Sequence, residues 1–158
     1  MSYILKKNLV LTGMMGVGKS TIGKLLSKKL NMQFKDVDKV IENKTSLTIN
    51  EIFLKKGEDF FREIEEKESL RLLEKDGLII ALGGGAFVNS NIRKKVKKLS
   101  VSIWLDLNSK FIFQRIKKNK KRPLLNNSQS EKNLEEILKK RKSIYSLANH
   151  RINCNYKN

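Results

Sequence analysis

The run Gly13, Met14, Met15, Gly16, Val17, Gly18, Lys19, Ser20, Thr21 constrains the fold more than any other stretch. It follows a short apolar segment, Leu9 to Thr12, and opens a helical pattern from Lys19 to Leu30. A G-x-x-x-x-G-K-S spacing between a strand and a helix is the signature of a phosphate-binding loop, or P-loop. Its glycines let successive backbone N–H groups turn inward around phosphate oxygens, and the helix start adds partial positive charge. Lys19 has the reach for the β- and γ-phosphates, and the Ser20 hydroxyl is a magnesium ligand. The expected ligand is a Mg²⁺–nucleoside triphosphate held by Gly13, Gly16, Val17, Gly18, Lys19, Ser20 and Thr21. A glycine turn that merely starts a helix would explain neither the lysine nor the hydroxyl.

Other apolar runs of strand length lie around Phe34 to Asp38, at Leu78 to Leu82, at Val101 to Leu105 and, more weakly, at Arg151 to Cys154. Helical periodicity fills the intervals: Thr48 to Lys55, with Thr48 and Glu51 spaced as a capping box; Asp59 to Lys75; and segments after Asn91 and Ser109. A last helix from Glu131 to Ala148 is introduced by Ser128 and Glu131 at the same capping spacing. Strands alternating with helices require right-handed crossovers. The expected architecture is therefore α/β in three layers, a mostly parallel five-stranded sheet with helices on both faces, as one domain over residues 1–158. In such sheets ligands sit at the carboxyl ends of the strands. The aperiodic, Lys- and Asn-rich stretch around the single proline, Pro123, predicts a mobile loop over about 117–128.

Composition narrows the partners. Lys and Arg number 34 against 16 Asp and Glu, a formal net charge of +18, which favours anionic ligands. The excess consists of 27 Lys and only 7 Arg, spread along the chain. Its densest run, Lys117 to Arg122, contains no aromatic residue to stack on a base, so it reads as a solvated surface and no nucleic-acid partner is expected. Cys154 is the only cysteine, which excludes an internal disulfide and a cysteine zinc site. No apolar stretch approaches the roughly 20 residues of a membrane span. A cytoplasmic protein with no membrane partner is expected, in which His150 and Cys154 serve packing.

Several side chains stand where chemistry could occur. Alternation along Phe34, Lys35, Asp36, Val37, Asp38 puts Asp36 and Asp38 on one face at the carboxyl end of a strand, beside the P-loop. One carboxylate there can hold Mg²⁺ while the other takes a proton from an attacking hydroxyl. An Asp at a strand end can instead cap the helix that follows, and Asp106, ending the run from Val101, is a rival metal ligand. Arg62, four residues after Glu58 and three before Glu65, is either a guanidinium fixed for binding or a surface ion pair. Gly83, Gly84 and Gly85 form either a plain turn or a close backbone approach to a ligand. Arg141 falls on the apolar stripe of Leu134, Ile137, Leu138, Tyr145 and Ala148, so it needs an anion, supplied by an internal carboxylate or by a bound one.

Taken together, these segments resemble the shikimate kinase family. GMMGVGKST at 13–21, F-x-D-x-D at 34–38, GE-x-x-FR-x-x-E at 57–65, GGG at 83–85, RPLL at 122–125 and R-x-x-x-Y-x-x-A at 141–148 follow the family's order and approximate spacing. The resemblance implies a P-loop kinase fold with a substrate-binding segment near 36–65 and a lid near 117–128. It implies ATP- and Mg²⁺-dependent phosphorylation of the 3-hydroxyl of shikimate, in aromatic amino acid biosynthesis, by a monomer. By the same resemblance Asp38 contacts substrate hydroxyls and acts as base, Asp36 joins Ser20 at the metal, and Lys19 serves catalysis. Arg62 and Arg141 clamp the substrate carboxylate, Gly83, Gly84 and Gly85 present backbone to the substrate, and Arg122 is the lid arginine that stabilises the transferring phosphoryl. Phe53 and Phe61 resemble apolar residues beside the substrate pocket. A kinase of a related metabolite such as gluconate is the alternative within enzymes; a non-catalytic P-loop binding module would leave the Asp pair and the two arginines without a role. Four residues follow Cys154, where family members continue into an adenine-contacting loop and a closing helix.

Overall fold

Strands β1 (Asn8–Thr12), β2 (Gln33–Asp36), β3 (Leu78–Ala81), β4 (Ser100–Asp106) and β5 (His150–Asn153) form one sheet in the order β2-β3-β1-β4-β5, with every pairing parallel. This computed structural model of the chain describes residues 7–118 and 130–155. Central strands must be apolar on both faces when helices cover both. Accordingly Val10 and Leu11 of β1 and Ile79 and Ile80 of β3 are fully buried. The edge strands are short, and β5 is exposed along its length. Its weak sequence signal follows from that exposure, and His150 lies in solvent rather than packing as expected. Cys154, just beyond, does pack against the core.

The crossovers are α1 (Lys19–Leu30), then α2 (Val37–Thr45), α3 (Ile49–Lys56) and α4 (Glu58–Leu73) between β2 and β3. Next come a 3₁₀ turn (Ala86–Val88), α5 (Ser90–Leu99), α6 (Ser109–Lys117) and α7 (Ser130–Tyr145). The capping box of Thr48 and Glu51 is formed in both directions. The box expected from Ser128 and Glu131 lies partly outside the described residues. Helix α7 stops at Tyr145 rather than Ala148, and Asn149 turns the chain back by accepting from the N–H and hydroxyl of Ser102 at 2.9 Å each.

One helix position allows no side chain. A β-carbon at Gly23 of α1 would fall within 2.7 Å of Phe34 Cδ2 and 2.9 Å of Cζ. Alanine normally favours a helix over glycine by about 1 kcal/mol, but overpacking costs about 1–3 kcal/mol. Gly23→Ala is therefore expected to lower Tm by a few degrees in a thermal melt. A rise in Tm would mean that the Phe34 ring slides aside freely.

Candidate active site

The P-loop leaves β1 between β3 and β4, at the carboxyl edge of the sheet, and its shape is set by glycine. Gly13 has φ +138° and a β-carbon there would lie 2.6 Å from the Leu105 carbonyl; Gly18, the N-cap of α1, has φ +103°. Lys19 is 9% exposed, and its ammonium donates to the carbonyls of Gly13 at 2.7 Å and Met14 at 2.9 Å. Val17 is buried, Gly16 packs near Ile116, and Ser20 and Thr21 face outward on the first turn of α1. The Ser20 hydroxyl donates to Asp36 Oδ2.

Asp36 is the last residue of β2 and the N-cap of α2, its Oδ1 accepting from the N–H groups of Asp38 at 3.1 Å and Lys39 at 3.4 Å. The sequence expectation of one strand carrying both carboxylates is thus corrected. Asp38 belongs to the first turn of α2, where the helix dipole favours negative charge. The cap is Asp36, one oxygen serving the helix and the other Ser20. Those oxygens suit Mg²⁺, a hard cation that takes one or two protein oxygens and completes its shell with water and phosphate. No group of three or more His, Cys, Asp or Glu side chains fit for a metal occurs among the described residues.

Arg62, Glu65 and Asp38 converge on the three glycines after β3. A β-carbon at Gly83 would collide with Glu65 Oε1 and lie 3.1 Å from Asp38 Oδ1, and one at Gly85 would lie 2.6 Å from Arg62 Nη1. At Gly84 it would lie 3.0 Å from the Met15 backbone N–H nitrogen, so this glycine brings β3 against the P-loop. The glycines are therefore required by the chain's own side chains and backbone, which the plain-turn reading does not explain. Arg62 is held on Glu65 at 2.8 Å and on Glu58 at 3.2 Å, over the Phe61 ring at 5.2 Å. Phe61 in turn packs on Phe53, with ring centres 4.7 Å apart. Burial pushes the Glu65 carboxyl above its usual range; the Arg62 charge opposes that and the Asp38 charge adds to it.

Arg141 reaches the same place from α7. Its Nη1 donates to the Gly84 carbonyl at 3.1 Å, and among the described residues no carboxylate pairs with it. Of the two motif arginines, Arg62 is ion-paired, while Arg141 forms no salt bridge among the described residues and acts on the Glu65 carboxyl only through its charge. Asp106, the rival metal ligand, is ion-paired to Arg151, whose Nε donates to it at 2.9 Å. Arg122 lies outside the described residues. Two contributors escaped the sequence reading: Arg115, which donates to the P-loop carbonyl of Val17 at 3.1 Å, and Tyr145, whose hydroxyl donates to the Gly84 carbonyl. The scarcity of arginine in a lysine-rich chain was the available signal for Arg115. Tyr145 stands in the apolar stripe and in the R-x-x-x-Y-x-x-A motif, neither of which gives its hydroxyl a role.

The family profile of shikimate kinase matches residues 15–158. The chain belongs to the shikimate kinase family. A shikimate kinase from Sulfurihydrogenibium sp. is 42% identical over 151 residues, which cover 96% of this chain and 90% of that one. The solved shikimate kinase from Acinetobacter baumannii, described as in complex with shikimate, superposes with a TM-score of 0.93 at 35% identity, covering 98% of this chain and 87% of that chain. A gluconokinase from Sinorhizobium meliloti, at 12% identity over 97% of this chain and 85% of that chain with a TM-score of 0.58, shares the fold alone. As a shikimate kinase the chain is an enzyme, an ATP-dependent phosphotransferase, and its all-parallel sheet is the P-loop kinase fold expected from the sequence. The gluconate and binding-module alternatives are not favoured.

Proposed function

We propose that this shikimate kinase moves the γ-phosphoryl of ATP onto the 3-hydroxyl of shikimate, with the roles divided as follows. The observation that carries the reading is the meeting of a P-loop, the Asp38 carboxylate and the Arg141 guanidinium around Gly83 and Gly84. Gly13, Gly16, Val17, Gly18, Ser20 and Thr21 hold the nucleotide phosphates, and Lys19 exchanges its loop carbonyls for phosphate oxygens. Asp38 receives the proton of the 3-hydroxyl as that oxygen bonds to the γ-phosphorus and the bond to the β–γ bridging oxygen breaks, leaving ADP. Arg141 binds the substrate carboxylate through a planar fork, which a point-charge lysine would not match. Arg62 supplies a second cation whose pairing with exposed Glu58 gives way to the substrate. Gly83, Gly84 and Gly85 bring the substrate side against the P-loop.

Mg²⁺ bound at Ser20 and Asp36 would neutralise phosphate charge during transfer. Arg122 takes the phosphoryl-stabilising role that the resemblance gives it. We also read residues 1–158 as one domain, working as a cytoplasmic monomer; one continuous sheet and a free Cys154 support this. No described helix is long and apolar enough to cross a membrane.

The test is ADP release from purified protein with Mg²⁺ and ATP, comparing shikimate with gluconate, a nucleoside monophosphate and no acceptor. Strong stimulation by shikimate alone is the expected result. Equal stimulation by gluconate would sink the substrate assignment.

A further inference from the structure

Arg141 and Tyr145 lie one helical turn apart on α7 and converge on the same two acceptors. Arg141 Nη1 donates to the Gly84 carbonyl at 3.1 Å and lies 3.7 Å from the Met14 sulfur. The Tyr145 hydroxyl donates to the same carbonyl and lies 3.6 Å from the same sulfur. We propose that Tyr145 is a positioning residue for recognition of the substrate carboxylate, its hydroxyl fixing the Gly84 carbonyl on which Arg141 rests and so the plane of that guanidinium. The inference rests on the role given to Arg141 above.

A carbonyl oxygen offers two lone pairs, and here one helix fills both. With the pair satisfied, α7 has a single seating against Gly84, and Arg141 can use one Nη for it while its other N–H groups remain for a carboxylate. Without the hydroxyl, Arg141 would be the sole donor to that carbonyl, its Nη1 held otherwise only by a weak bond to the Met14 sulfur, and the guanidinium could tilt more freely. Bidentate recognition is sensitive to such tilts, because both N–H···O bonds must stay near linear.

Tyr145 is itself anchored. It is fully buried, and its ring faces Trp104 with centres 6.0 Å apart. Trp104 lies on β4, with the Arg151 guanidinium over its ring at 4.9 Å. Burial pushes the phenol above its ordinary range, against the lowering effect of the Arg141 charge, and so favours the neutral, donating form. A ring wanted only for packing would be served by phenylalanine. The hydroxyl matters because it is aimed at the one carbonyl that also holds the substrate-binding arginine.

Tyr145→Phe keeps the ring and deletes the donor. The expected result is a roughly three- to tenfold rise in the KM for shikimate, the worth of one hydrogen bond. The KM for ATP should stay within error. A double variant with Arg141→Lys should raise the shikimate KM no further than Arg141→Lys alone, because Tyr145 acts through Arg141. The chain has one tryptophan, Trp104, so its emission on shikimate titration gives a binding readout independent of turnover. The Phe variant should show a weaker shikimate Kd by the same factor.

An unchanged shikimate KM and Kd in Tyr145→Phe overturns the proposal, as does a double variant with fully additive losses. Equal rises in the KM for both substrates, or failure of the variant to fold at any temperature, would make the hydroxyl structural and overturn it as well. Shikimate-dependent ADP release by the unsubstituted protein, run alongside, separates these results from a failure of the assigned function itself.

Discussion

Lys19→Ala is expected to lower kcat by at least about 10²–10³-fold, the loss typical of removing one preorganised charge or donor from a transferring group. The lysine's place explains why so much depends on it. With its ammonium on the carbonyls of Gly13 and Met14, at 2.7 and 2.9 Å, it is stored inside the loop that will surround the phosphates. Incoming phosphate oxygens offer full negative charge where the carbonyls offer partial charge, so exchange of partners is favourable, and stronger as charge grows on the γ-phosphoryl. Truncation removes that gain and takes a donor from two buried loop carbonyls, at a stability cost of about 1–3 kcal/mol. The losses should therefore separate: a moderate drop in Tm with a large drop in shikimate-dependent ADP release. Retention of activity within tenfold would remove Lys19 from the phosphate site.

Residue types with only one use were readable from sequence. The P-loop is such a case, since positive φ at Gly13 and Gly18 demands glycine and the loop joins a short apolar strand to a 12-residue helix. Failure came where two periods compete over a few residues. Phe34 to Asp38 alternates as a strand would, yet Val37 and Ile41, both fully buried, share a helical face four residues apart. The side chain of Asp36 decides the matter by bonding the N–H groups of Asp38 and Lys39, and a cap of this kind leaves no mark in a two-residue period. The ion pair of Asp106 with Arg151 depends on the register of β5 against β4, and the bond of Arg115 to Val17 spans 98 residues of sequence. No local pattern encodes either. The glycines after β3 were legible as a close approach, but what approaches them includes Glu65, Arg62 and the P-loop backbone, known only once α4 is docked.

Asp38→Asn is the second large effect, and its value lies in how the loss divides. The substitution keeps size and the position on the first turn of α2, so packing and the hydrogen bond from the Asp38 N–H to Asp36 survive. It removes a charge near a helix N-terminus, worth about 0.3–1 kcal/mol, and the coulombic push that Asp38 exerts on Glu65. It also removes the capacity to take a proton, worth about 10²–10⁴-fold in rate. The last of these dominates. The expected outcome is a kcat fall of about 10²–10⁴-fold with nucleotide affinity changed less than about threefold, measured by steady-state turnover and by nucleotide binding at fixed Mg²⁺. Asp36→Asn should behave oppositely. Its carboxylate serves Ser20 and the cap of α2, so nucleotide affinity and Tm should fall together with turnover. Equal losses of kcat and nucleotide affinity in Asp38→Asn would move Asp38 to the metal side of the site, and the proton of the 3-hydroxyl would then leave without an enzyme base, as the loose transition state of phosphoryl transfer permits.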